Sequence, residues 1–163
     1  MGIRMAAARV LAGTCLLVAP QAPASAAAQD EATVQPDYDQ SLAERLGADD
    51  YGMRSYVLVI LRSGPTPMPA GPERDAMFRG HLDNIRRLTE AGSLVLAGPL
   101  DGVDGRRGIF VLAVPDIDSA RRLVETDPVI ANGEMSADFH VWYGSAALMQ
   151  LPELHGKLAR RNP

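Results

Sequence analysis

Ser55-Tyr56-Val57-Leu58-Val59-Ile60-Leu61-Arg62-Ser63-Gly64-Pro65 is the stretch from which the rest of the chain can be ordered. Tyr56 to Leu61 is an unbroken apolar run rich in β-formers, and Gly64-Pro65 closes it, so it predicts a buried strand. Pro65, Pro67 and Pro69 force a loop next. Glu73 to Ala91 then shows helical spacing that stops at Gly92, a natural C-terminal residue for a helix. Ser93 to Ala97 predicts a second strand, ended by Gly98-Pro99. Asp101 to Gly108, with three glycines, is a turn-rich connection into a third strand over Ile109 to Val114. Asp116 can cap a second helix through Ile117, Ala120 and Val124 to about Thr126. Pro128 stops it, because the residue before a proline is pushed out of the α region. Ser136 to Tyr143 is a fourth strand, and a last helix is expected from Pro152 to Arg160.

From Ser55 the order is therefore β-α-β-β-α-β with a C-terminal extension. Two helices on one side of a four-stranded antiparallel sheet give an α+β, ferredoxin-like arrangement. The other sheet face is left bare, and an apolar face does not stay in water. Alternating positions of Tyr56–Leu61, Leu94–Leu96 and Ile109–Leu112 would form it, and a homodimer that buries it is expected.

The N-terminus reads differently. Residues 1–28 carry Arg4 and Arg9, no acid, a short apolar run from Val10 to Ala19 and the small residues Ala24-Ser25-Ala26. That is the pattern of a secretory signal peptide, with cleavage after Ala26 or Ala28 fitting equally. The apolar run falls short of the roughly 20 residues a membrane span needs. An exported protein, periplasmic or secreted, with no membrane span after cleavage is the expectation. Cys15, the single cysteine, sits inside the apolar run and would leave with it. The mature chain would then hold no disulfide. Residues 29–52 are an acidic arm in which Ser41–Leu46 could wind one or two helical turns before Gly47. The folded domain spans 53–145, and 146–163 is a tail with its helix.

Composition closes off several classes of function. With 16 Lys and Arg against 20 Asp and Glu the chain carries −4, and loss of Arg4 and Arg9 leaves 14 against 20, or −6. Lys and Arg cluster only in pairs, which argues against nucleic-acid binding. Gly102, Gly105 and Gly108 lead into a strand, not into the helix a nucleotide-binding loop needs. No serine stands in a nucleophile elbow, and three scattered histidines give no metal motif. No cofactor and no metal are expected.

Two residues stand out. At roughly 100° per residue, Met77, Phe78, Leu82, Ile85 and Leu88 make one stripe of the first helix, and His81 falls inside it. A histidine there is either a core residue satisfied by a carbonyl or a dehydrated, oriented reactive group. Asp127 has the same double reading: before Pro128 it suits a helix cap, and it also ends the second helix on the side of the sheet that carries His81. His140 and Trp142 share a face of the fourth strand and either line a pocket or point outward. His155 in the tail is expected at the surface.

The segment Phe78-Arg79-Gly80-His81-Leu82-Asp83-Asn84-Ile85, with Gly92-Ser93-Leu94-Val95-Leu96-Ala97-Gly98-Pro99, resembles the helix and strand of the YCII-related family. Arg107-Gly108-Ile109-Phe110-Val111, Glu125-Thr126-Asp127-Pro128 and Gly133 extend the resemblance over about Ser55 to Tyr143. It implies a dimeric α/β barrel built from ferredoxin-like subunits, and a His/Asp site carried by His81 and Asp127. Such a pair suits proton transfer on a small organic molecule, as isomerase, dehydrohalogenase or lactone-type chemistry. The alternative is a non-catalytic exported protein that binds a small ligand, or a partner, in the same pocket.

Overall fold

Strand β1, Met53–Ser63, lies at the centre of the domain and does what its unbroken apolar sequence demands, since both its faces are covered. The computed structural model describes residues 37–161. The signal peptide expected over 1–28 and the start of the arm lie outside them. The elements are α1 (Gln40–Leu46), β1, α2 (Pro72–Glu90), β2 (Leu94–Pro99), β3 (Arg106–Leu112), α3 (Ile117–Val124), α4 (Pro128–Ala131), β4 (Met135–Ser145) and α5 (Leu151–Leu158). All strand pairs are antiparallel, in the order β2-β3-β1-β4, an α+β arrangement consistent with a ferredoxin-like fold.

Alternation along β1 divides the apolar residues between two cores. Val57, Val59 and Leu61 face α2 and α3 and pack with Met77, Leu88, Phe110, Leu112, Ala120 and Val124. Tyr56 faces the other way, with Val95 and Val111. This second face is where the bare surface was expected, and part of it is already covered. After β4 the chain turns through a short 3-10 segment, Ala146–Gln150, whose Leu148 and Met149 pack on Tyr56, Val95 and Val111. Helix α5 follows and lies beside the edge strand β2.

The arm is also more than a spacer from residue 37 on. Asp39 caps α1 by accepting the Leu42 N–H, and Gly47 ends the helix with φ 66°. Arg54 Nη1 donates to the last helical carbonyl, of Leu46, at 2.7 Å. Tyr143 donates its hydroxyl to the Asp49 carboxylate, which pushes the phenol up to about 12. Among the described residues, no helix is long and apolar enough to cross a membrane.

Candidate functional site

The stripe of α2 that turns inward is Met77, His81, Asn84 and Leu88, spaced 4, 3 and 4 residues apart, as one helical face requires. It is rotated from the expected stripe: Phe78 and Ile85 are half-buried and Leu82 is 39% exposed. Gly80 lets this face approach its neighbour, because a Cβ there would stand 3.0 Å from Pro128 Cγ at the start of α4. The close packing of α2 on α4 delivers His81 to Asp127, whose side chain is fully buried.

Both sequence readings of Asp127 hold at once, one on each oxygen. Oδ1 accepts the Val129 N–H at 3.1 Å, the cap of α4. Oδ2 lies 2.8 Å from His81 Nδ1 and accepts Asn84 Nδ2 at 3.3 Å. An ionised carboxylate only accepts hydrogen bonds, so Nδ1 carries a proton in this contact, and in the neutral ring Nε2 then holds the lone pair. The imidazole is held from its sides by Phe110, stacked at 6.0 Å between centroids, and by Phe78, edge-on at 6.2 Å. Its Nε2 makes no hydrogen bond among the described residues and is not sealed in, since His81 lines a cavity of about 680 Å³.

That cavity lies between α2, the edge of the sheet and α5. Leu82, Ile85, Ala97, Met135 and Pro152 give it apolar walls, and Arg86, Thr89, Glu90, Arg107 and His155 are its polar members. His155 is exposed, as expected of the tail, yet it belongs to the rim. Among the described residues, no three His, Cys, Asp or Glu side chains group as metal ligands would.

The remaining pair, left open between a pocket and an outward face, lies away from the His81 cavity. His140 stands opposite Leu58 and Trp142 opposite Tyr56 across the β1–β4 ladder. Both therefore lie on the face away from α2, while Ala137 and Phe139 take the helix side. Trp142 packs on Tyr56 with ring centroids 5.6 Å apart, and neither His140 nor Trp142 lines the cavity of His81.

Asn84 is the buried neighbour of the pair that the sequence did not single out. It is 7% exposed, its Oδ1 accepts from Arg87 Nη2 at 2.6 Å and from Thr126 Oγ1 at 3.0 Å, and its amide supports Asp127. Its signal was available, for Asn84 follows His81 by three residues on the same helix face. Glu134 was missed as well. Buried just before β4, it accepts the Met68 N–H at 2.6 Å and pairs with Arg74 at 2.9 Å, tying the proline loop and the first turn of α2 to the sheet.

No curated protein matches the chain. The family model for the YCII-related domain matches residues 55–141, more than half the chain and the whole of the segment that brings His81, Asn84 and Asp127 together. The protein belongs to the YCII-related domain family.

Proposed function

We propose that this protein is an exported acid–base enzyme whose His81–Asp127 pair moves a proton on a small organic molecule. The observation that carries the reading is the 2.8 Å contact from Asp127 to Nδ1, with Nε2 left to a largely apolar cavity. A carboxylate that fixes the tautomer and a dry wall around the free nitrogen are what a general base needs. Nε2 takes a proton from a C–H next to a carbonyl. The electron pair left on carbon either shifts to a neighbouring position, where the proton is returned, or expels a leaving group. The first course is isomerisation and the second elimination, and neither requires an oxidant. Asn84 keeps Asp127 aimed at the ring and is a positioning residue. The leader-like residues 1–28 support export, and the exposed Trp142 on the uncovered half of the sheet supports pairing of two copies.

The experiment is solvent exchange. Protein purified from the periplasm of a Gram-negative host, its mass showing a start near Ala27 or Gln29, is incubated in D2O with a panel of small carbonyl acids, lactones and ketones. Wild type should label at least one of them, and His81→Asn should lose that rate by about a hundredfold to ten-thousandfold. Compounds that bind without labelling, or label equally with His81→Asn, would favour the binding protein over the enzyme.

A further inference from the structure

One cationic group lines the same cavity without an ion pair among the described residues, and a bend in the backbone lies beside it. Along β1 and β3 the register runs Ile60 to Ile109 and Leu61 to Gly108, then jumps to Arg62 opposite Arg106. Arg107 is the extra residue of this β-bulge. In a regular strand Arg107 would share a face with Ile109 and Val111, away from α2, because Phe110 packs on the helix side. The bulge breaks that alternation, and Arg107 lines the cavity together with Gly108 and Phe110. Bulges beside functional sites commonly re-aim a side chain in this way.

Glu90 is a carboxylate on the wall of the same cavity, and it forms no ion pair with Arg107. Arg86, the other cavity arginine, is paired with Asp83, and Arg106 is paired with Asp104 at 3.1 Å. Glu134 feels Arg107 at longer range but is held by Met68 and Arg74. Arg107 itself is half-buried and makes no side-chain hydrogen bond or ion pair among the described residues. A guanidinium facing an apolar cavity is suited to a planar anion, which it can grip with two parallel N–H bonds.

We infer that Arg107 is the anchor for a substrate carboxylate, so that the molecule presented to His81 is a monocarboxylic acid with an apolar body. The acid group sits at the bulge, the body lies against Leu82, Ile85 and Pro152, and the C–H next to a carbonyl comes to Nε2. Acid–base chemistry at His81 is the reading on which the word substrate rests, but the anchor itself is tested by binding alone.

Calorimetric titration of wild type with phenylacetate and hexanoate, and with phenylacetamide and hexanamide, reads the anchor. The acids should bind at least about tenfold more tightly than their amides, the ratio a charge-assisted bond supports. Arg107→Gln should erase that preference and Arg107→Lys should restore part of it, while His81→Asn keeps it. Acids that bind no better than the amides, or a preference that survives Arg107→Gln, would overturn the assignment. Tight acid binding without deuterium labelling would leave the anchor standing and remove the catalytic reading, so the two failures are distinct.

Discussion

The three buried polar residues, Asn84, Asp127 and Glu134, each hold partners that fix a different part of the structure. Asp127 joins α4 to His81, Asn84 joins Asp127 to Arg87 and Thr126, and Glu134 joins the proline loop to α2. Glu134 gives a prediction with a definite sign. The Met68 N–H, and after it the Arg74 guanidinium, hold its carboxyl below the usual 4.5, against the effect of burial. The folded state therefore resists protonation more than the unfolded chain does. The stability this gives is complete above pH 4.5 and is lost as the pH falls through the lower folded value. Glu134→Gln should cost about 1–3 kcal/mol at neutral pH, and urea midpoints taken from pH 6 down to pH 3 should fall less steeply than in wild type. Parallel slopes for the two proteins would take Glu134 out of the acid response. Legibility in the sequence followed the same chemistry. His81 stood out because an ionisable ring interrupts an apolar stripe, and Asp127 because it precedes a proline. Asn84 and Glu134 did not stand out, because a buried amide or acid is recognised by its partners, and apart from Arg87 those lie 42 to 66 residues away.

Element α2 shows how a site depends on the rotation of one helix. Counting at 100° placed His81 among Phe78, Leu82 and Ile85, yet the sheet-facing line is Met77, His81, Asn84 and Leu88. Hydropathy could not choose between the two, because Phe78, Leu82 and Ile85 are also apolar: all three line the cavity, and Phe78 and Ile85 pack against the core as well. What sets the rotation is the close approach of α2 to α4 at Gly80 and Pro128. In an unobstructed helix, glycine to alanine would add about 1 kcal/mol. Here the new Cβ meets Pro128 Cγ at 3.0 Å, and the proline adjoins Asp127. Gly80→Ala should gain little or none of that stability. It should also move Asp127 away from His81, which the 15N shifts of the ring report as a loss of the Nδ1-protonated form. A variant stabilised by the full amount, with unchanged ring shifts, would show that the helix spacing is not what aligns the pair.

At the scale of the whole molecule, the β-α-β-β-α-β order was readable because turns and apolar runs are local features. The placement of the C-terminal segment was not, since its docking depends on a sheet face assembled from strands far apart in sequence. That segment covers Tyr56, Val95 and Val111 through Leu148 and Met149, then carries α5 to the edge of β2 and the rim of the cavity. It occupies part of the face that a second copy was expected to cover, and leaves the part along β4 where His140 and Trp142 are exposed. In the dimer proposed above, the segment and a partner subunit would divide one apolar surface between them. The double variant Leu148→Ala/Met149→Ala tests that division. Each side chain is half-buried, so truncating both should cost about 2–4 kcal/mol in urea unfolding. Light scattering at micromolar concentration should give a dimer for wild type and larger species for the variant, because the uncovered Tyr56, Val95 and Val111 extend the sticky face. A monomeric wild type would remove the partner from this account. A variant with an unchanged urea midpoint would remove the segment, because a tail that can be truncated at no cost is not part of the core.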